Sequence, residues 1–99
     1  MYAIVFDLDQ ETLSKTYHVA SYQNAYGDIK KALESYGFTR QQGSVYFGNV
    51  SQVDAVSCVL AVMDLAKSNP WFAPSVTDIR MLRIEENNDL MPAVKKAVS

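Results

Sequence analysis

The first residues of the chain follow the pattern of a β-strand. Residues 2–9 place large apolar side chains on one face, and the other face carries Ala3 and Val5 before it reaches Asp7 and Asp9. Because successive side chains of a strand point to opposite faces, both faces of this segment are apolar as far as Asp7. The pattern therefore predicts a strand that is covered on both sides and ends in carboxylates.

A helical period appears further along the chain. Residues 10–21 have no clear period and are interpreted as a loop, with a short extra strand as the alternative. Apolar residues then recur at steps of three and four, at Tyr22, Ala25, Tyr26, Ile29, Ala32, Leu33 and Tyr36. This spacing predicts an amphipathic helix with Gly37 at its C′ position. Its tyrosines are interpreted as core residues rather than as a platform on which bases stack.

A hairpin is predicted after this helix. Residues 38–41 and 45–48 form two short strand patterns joined at Gly43 and Ser44, and Gly43 is expected to supply a positive φ angle. Residues 75–86 predict the last main strand. Residues 87–98 predict a short C-terminal helix capped by Asn88 or Asp89.

A second long helix is predicted between the hairpin and the last strand. Ser51 and Asp54 have the spacing of a capping box, and Asn69 followed by Pro70 marks the end of the helix. The apolar stripe expected to face the core consists of Val53, Val56, Val59, Leu60 and Met63.

The order strand, helix, strand, strand, helix, strand predicts an α+β fold of the ferredoxin-like βαββαβ type, as a single domain over residues 1–99. With the usual strand order 4-1-3-2, the end of the first strand lies beside the starts of the third and fourth. Asp7, Ser44 and residues 75–80 are thus expected at one edge of the sheet.

The open sheet face has a second consequence. Helices cover only one face of such a sheet, yet the first strand is apolar on both. A symmetric homodimer packed through the open face would cover the remaining apolar surface. Asp7 and its symmetry mate are then expected to face each other across the two-fold axis.

Composition narrows the class of protein. The 99 residues are 48% hydrophobic and 20% charged, as in globular proteins. A net charge of −2 argues against coating of nucleic acid through bulk positive charge, so any such site must be local. No run approaches the roughly 18 apolar residues of a membrane span, and a secretory signal is lacking, so a cytoplasmic location is expected. Cys58 is the only cysteine and is expected to pack as a small apolar group.

The polar residues at the predicted edge point to phosphodiester chemistry. Asp7 is a candidate ligand of Mg²⁺, because this ion prefers a few carboxylate oxygens and retains several waters. Arginine binds phosphate bidentately, and Gln42 and Ser44 can donate hydrogen bonds to the same backbone. The candidate arginines are Arg40, Arg80 and Arg83.

Each of these residues also has a structural interpretation. Asp7 and Asp9 can serve as turn or helix-cap residues at a strand end. Arg80 and Arg83 can form surface ion pairs with the glutamates that follow them. His18, the only histidine, is either a general base or a solvent-exposed loop residue.

Three stretches together resemble the virulence-associated protein D (VapD) family: "MYAIVFDL", "GFTRQQGSVY" and "SVTDIRMLRIE". They cover nearly the whole chain in the same order and at suitable separations. The stretch "RQQGSVYFG" is also similar to a strand pair of the small CRISPR adaptation nucleases, which are related to that family.

The resemblance implies a homodimeric endoribonuclease, often encoded as the toxin of a toxin–antitoxin pair with an antitoxin protein as partner. It assigns Asp7 and Ser44 to the functional positions at the strand ends. The longer segment after Asp9 departs from the CRISPR relatives, and so does Asp9 itself. Cleavage with Mg²⁺ and metal-free attack by the ribose 2′-hydroxyl therefore both stay open. The alternative function is a non-catalytic dimeric scaffold in which Asp7 is a buried hydrogen-bond acceptor.

Overall fold

A computed structural model of the chain describes residues 1–18 and 21–99. Its elements are β1 Tyr2–Leu8, α1 Gln10–Thr16, α2 Asn24–Glu34, β2 Phe38–Gln42, β3 Val45–Gly48, α3 Ala55–Ser68, α4 Phe72–Ser75, β4 Val76–Arg83 and α5 Met91–Ala97. The strands form one antiparallel sheet in the order β2-β3-β1-β4. This is the predicted strand order, and the α+β arrangement is ferredoxin-like.

The register of the sheet separates its two faces. Ile4 of β1 lies opposite Tyr46 of β3 and Met81 of β4, and this row faces the helices. The next row, Ala3 between Phe47 and Leu82, belongs to the other face, which we call the open face. Because side chains alternate along a strand, Val5 and Asp7 share the open face with Ala3.

The helix-facing side of the sheet carries the core. Ala25, Ile29 and Leu33 of α2 are fully buried, as their spacing predicted. Burial of a large aliphatic side chain contributes about 1.5–3 kcal/mol, so this face of α2 is a substantial part of the folding energy. The predicted tyrosines pack at the margin of the same core.

Residues 10–16 form helix α1, so the interpretation of residues 10–21 as a loop or strand was wrong for this part. The side chain of Asp9 caps the helix by accepting a hydrogen bond from the Thr12 backbone N–H at 3.2 Å. Leu13 is the one buried residue of α1, and a single apolar position has no measurable period. Residues 19 and 20 of the predicted loop lie outside the described residues.

Helix α3 begins differently from the prediction. Asp54 is itself the N-cap and accepts a hydrogen bond from the Ser57 backbone N–H at 2.8 Å, whereas Ser51 bonds to Asn49 instead. The helix ends at its predicted position, with Asn69 as the C-cap.

The predicted inward stripe of α3 was largely wrong. Only Val53 of that set is buried, and it precedes the helix. The side facing the core carries Cys58, Ala61 and Leu65, and Cys58 is buried as predicted. Val56, Val59, Leu60 and Met63 all point away from the core and are exposed. The cause is that α3 is apolar on both sides, so periodicity did not distinguish inside from outside.

The turns were predicted in part. Gly37 has a φ of 93°, but it lies two residues beyond the C-cap Ser35 rather than at C′. Gly43 does not have a positive φ, contrary to the prediction. The pairing of β2 with β3 instead shifts between Arg40 and Gln42, and this bulge accommodates the turn without a left-handed glycine.

The C-terminal helix α5 begins at Met91, whose backbone N–H donates to the side chain of Asp89 at 2.9 Å. None of its residues is buried. Within residues 1–18 and 21–99, we find no helix with the length and apolar character required to cross a bilayer.

Ser75 fixes the junction between β1, α1 and β4. It is fully buried, and its hydroxyl donates to the Trp71 carbonyl at 2.7 Å. The Ser75 carbonyl accepts from the Asp9 backbone N–H at 2.7 Å, and the hydroxyl also lies 3.2 Å from that of Thr16. These bonds hold the end of β1 against the start of β4.

We expect Ser75→Ala to lower the free energy of unfolding by about 1–3 kcal/mol, because it leaves buried hydrogen-bonding groups without a partner. Ser14→Ala is the matched control. Its hydroxyl bonds to the Glu11 carbonyl on the exposed side of α1, so the change should be within about 0.5 kcal/mol. Urea denaturation followed by circular dichroism measures both. Equal stability of the two variants would contradict the role assigned to Ser75.

Candidate active site

Two carboxylates face each other where the central strand β1 pairs with the outer strand β4. Asp7 of β1 lies directly opposite Asp78 of β4. Directly opposed residues of antiparallel strands have Cβ atoms about 4.5–5.5 Å apart. The pairing shifts by one residue immediately after Asp7, and at this bulge the Thr77 hydroxyl donates to the Asp7 carbonyl at 3.2 Å. The bulge therefore fixes the position of Asp7 at the point where regular pairing ends.

Arg80 supplies positive charge beside this pair. Its Nε donates to both carboxylate oxygens of Asp78, at 3.1 and 3.2 Å. The two side chains are 68% and 47% exposed, so their ion pair adds little to stability. Asp7, Asp78 and Arg80 together form an accessible group that we call the acidic edge.

The other residues predicted for the site lie at different distances from the acidic edge. The Ser44 carbonyl accepts from the Phe6 backbone N–H at 3.1 Å, which places Ser44 next to the end of β1. Gln42 is opposite Val45, in the same row of the open face as Val5 and Arg80. Gln42 and Arg80 are thus three strand spacings apart, about 14 Å, on the two outer strands.

Arg40 is not brought to the acidic edge. It lies opposite Tyr46, in the row that faces the helices, on the other side of the sheet from Asp7. There it lines a polar cleft of about 740 Å³ together with His18 and Lys31. In that cleft the Tyr17 hydroxyl donates to Asp28 at 2.6 Å, and this hydrogen bond raises the pKa of Tyr17 to about 12.

Asp9 and Arg83 have the structural roles proposed as alternatives for them. Asp9 is a helix cap, and its hydrogen bonds with Thr12 lower the pKa of its carboxyl group. Arg83 pairs with Glu85 at 3.7 Å on the surface. Asp7 is exposed, which does not match the buried acceptor that the scaffold alternative required.

Sequence reasoning missed Asp78. Residues 75–80 were expected at this edge, so the sequence indicated the segment that contains Asp78 but not the residue itself. Only the register of β4 against β1 shows which of them meets Asp7.

One chain supplies only some of the ligands that a Mg²⁺ site requires. Asp7 and Asp78 offer carboxylate oxygens, the type of ligand this ion prefers. Across the part of the chain that the structure describes, no group of three or more metal-ligating side chains is found. A magnesium ion held here would therefore take its remaining ligands from water, from phosphate oxygens or from a second copy of the chain.

The fold and the acidic edge define a small ferredoxin-like protein that carries two opposed carboxylates and an arginine at one end of its sheet. A family model described as CRISPR associated protein Cas2 matches residues 1–91. The chain therefore belongs to this family.

Three curated relatives are named as endoribonucleases. Endoribonuclease VapD 2 of Riemerella anatipestifer is 52% identical over 95% of this chain and 99% of its own length. Endoribonuclease VapD homolog of Helicobacter pylori is 53% identical over 96% of this chain and 97% of its own. Endoribonuclease VapD of Dichelobacter nodosus is 41% identical over 98% of this chain and 100% of its own. These matches confirm the resemblance to the VapD family.

Proposed function

We propose that this protein is an endoribonuclease whose reaction takes place at the acidic edge. The observation that carries the proposal is the direct opposition of Asp7 and Asp78, with Arg80 bound to Asp78, on an exposed strand end. The names of the curated relatives support RNA as the substrate.

The chemistry of the edge divides into three roles. Asp7, which has no side-chain partner among the described residues, is the group free to accept a proton or to ligate a metal. Arg80 can turn from Asp78 toward a phosphate, since the side chains of both Arg80 and Asp78 are accessible to solvent. Ser44, next to the end of β1, and Gln42, further out in the same face, donate hydrogen bonds that orient the RNA backbone.

Two routes are consistent with these groups. In the metal-free route, Asp7 takes the proton of the ribose 2′-hydroxyl, the 2′-oxygen bonds to phosphorus, and the 5′-oxygen leaves and is protonated by water. In the other route, Asp7 and Asp78 would hold Mg²⁺. When bound, this ion would lower the pKa of a coordinated water and neutralise charge on the phosphate.

A homodimer through the open face would enlarge this site. Ala3, Val5 and Phe47 give that face an apolar centre, and Leu82 is 45% exposed beside them. Residues 87 and 89 border its β2–β3 side, so a second copy would pack mainly over β1 and β4. Such packing brings the two copies of Asp7 toward a shared cleft, in which a cation between the carboxylates becomes more favourable.

The resemblance to the VapD family also supports a role as the toxin of a toxin–antitoxin pair. Cleavage of cellular RNA arrests growth unless a partner protein blocks the site, so an antitoxin that covers the acidic edge is the partner we propose for the chain. A non-catalytic scaffold remains the alternative function.

We expect Asp7→Asn to reduce RNA cleavage by about 100-fold or more, because it removes the proton acceptor or metal ligand. Its stability should be unchanged or higher by up to about 1 kcal/mol, since the substitution relieves repulsion from the opposed Asp78. Cleavage of a labelled RNA and thermal unfolding measure the two effects. A strongly destabilised Asp7→Asn protein would favour the scaffold instead.

The two arginines provide a matched control for this location. Arg80→Gln should lower cleavage by about ten-fold or more through weaker phosphate binding, whereas Arg40→Gln, on the other face of the sheet, should stay within about three-fold of wild type. The reverse order would place the reaction in the Arg40 cleft.

Metal dependence has its own test. We expect cleavage of RNA, and not of DNA, in buffer with Mg²⁺. If the two carboxylates act as metal ligands, cleavage should be lost in EDTA and should recover when Mg²⁺ is restored. Equal cleavage in EDTA, with products ending in a 2′,3′-cyclic phosphate, supports the 2′-hydroxyl route. Absence of cleavage in every condition would contradict the proposed function.

Dimerisation is tested with two leucines. Leu82→Glu on the open face should weaken dimer formation by about ten-fold or more, because it places a charge in an apolar contact. Leu90→Glu, at a leucine that is 71% exposed near the C-terminus, is the control and should sediment like wild type. A wild-type protein that stays monomeric at micromolar concentration would contradict the open-face dimer.

A further inference from the structure

A second polar cleft lies on the open face, between the β2–β3 hairpin and the segment that follows β4. It has a volume of about 550 Å³ and is lined by Gln41, Gln42, Val45, Phe47, Asn87 and Asp89. We call it the amide cleft, because three of these six side chains are carboxamides. Its size is in the range of sites that bind small ligands. The roles proposed at the acidic edge make no use of Gln41, Asn87 or Asp89.

The bulge in β2 brings two neighbouring glutamines to this cleft. Arg40 and Gln42 are two residues apart, yet their partners in β3 are adjacent residues. Gln41 and Gln42 therefore lie together opposite Val45, and the regular alternation that would point one of them to the helix-facing side is interrupted. Both glutamines are exposed and both line the cleft.

The lining of the amide cleft is suited to an uncharged, flat, polar ligand. Among the described residues that line it, none is a lysine or an arginine, and the carboxylate of Asp89 would repel a phosphate. The exposed side chains of Gln41 and Asn87 each offer hydrogen-bond donors and an acceptor. Phe47 adds an aromatic surface on which a planar ring can pack. A nucleobase combines the features that this lining complements.

The amide cleft lies within reach of the acidic edge. Gln42 is two strand spacings from Val5, and Asp7 is two residues further along β1, so Gln42 is about 12 Å from Asp7. A single strand of RNA whose backbone passes Gln42 can therefore place a phosphate at the acidic edge and a nearby base in the cleft. The open-face dimer would pack mainly over β1 and β4 and would leave this side of the face accessible.

We infer that the amide cleft binds one unpaired base of the RNA and selects it by its hydrogen-bonding edge, an inference that rests on the proposed function. Asp89 sets the preference. One of its carboxylate oxygens accepts from the Met91 backbone N–H at 2.9 Å, which leaves the second oxygen as an acceptor for a ligand. Adenine, cytosine and guanine can donate to it from an amino group, whereas uracil has no amino group and brings carbonyl oxygens toward the carboxylate. The cleft therefore favours the amino-bearing bases over uracil.

The selection is tested with sets of four labelled RNA oligonucleotides that differ only in the base at one position near the cut. We expect wild type to cleave at least one amino-bearing oligonucleotide about ten-fold or more faster than the uracil one. Asp89→Asn retains an oxygen for the Met91 N–H and replaces the other oxygen with an N–H donor, so it should reduce this preference about ten-fold or reverse it. Asn88→Ala is the matched control, because Asn88 bonds to Glu86 at 3.0 Å, and it should retain the wild-type preference. Circular dichroism checks that both variants fold.

Binding of the same oligonucleotides to Asp7→Asn, followed by fluorescence anisotropy, separates this inference from the proposed function. A base preference in binding without cleavage by wild type would support the amide cleft as a base site and contradict the proposed function. Cleavage at equal rates for all four bases at every position, with equal binding, would overturn the base site and leave the proposed function intact. An equal loss of cleavage for all four bases in Asp89→Asn would also overturn it.

Discussion

The register of β1 against β4 is the constraint on which the acidic edge depends. A shift of one residue in this pairing would turn every side chain of a strand to the other face, so Asp7 and Asp78 can meet only in the observed alignment. Two contacts hold it at the strand end: the Thr77 hydroxyl bonds to the Asp7 carbonyl, and the Ser75 carbonyl accepts from the Asp9 backbone. The two carboxylates thus stay exposed while hydrogen bonds at Asp7 itself and two residues beyond it fix their backbone.

Positive charge is present at separate places on the sheet although the chain as a whole has a net negative charge. The net charge of −2 would repel a polyanion at long range. Arg80 on the open face and Arg40 on the helix-facing side provide local positive charge. They lie on opposite sides of the sheet because Arg80 is in the row of Val5 and Arg40 is in the row of Tyr46. A protein of this charge is suited to close contact with a short stretch of RNA, because bulk electrostatic attraction contributes little.

The sequence predicted the parts of the fold in which one physical signal acts alone. The period of α2 and the strand order both follow from such signals. Prediction failed where two signals overlap or none is present. Helix α1 buries only Leu13, and α3 is apolar on both sides, so periodicity could not show which side faces Ile4 and the rest of the core. At the site, Asp7 and Ser44 were predicted from strand ends, but Asp78 required the register, and the bulge next to Gln42 determines which polar residues of β2 face the open side.

The error in α3 is itself informative. Sequence reasoning identified a real apolar stripe and assigned it to the interior, because apolar residues have the same helical period whether their side of the helix faces the core or the solvent. The structure places Cys58, Ala61 and Leu65 inward, and these small or aliphatic groups are enough to seat the helix on the sheet. The larger residues on the other side face solvent and add no core contact, so burial alone does not account for the apolar pattern of this helix.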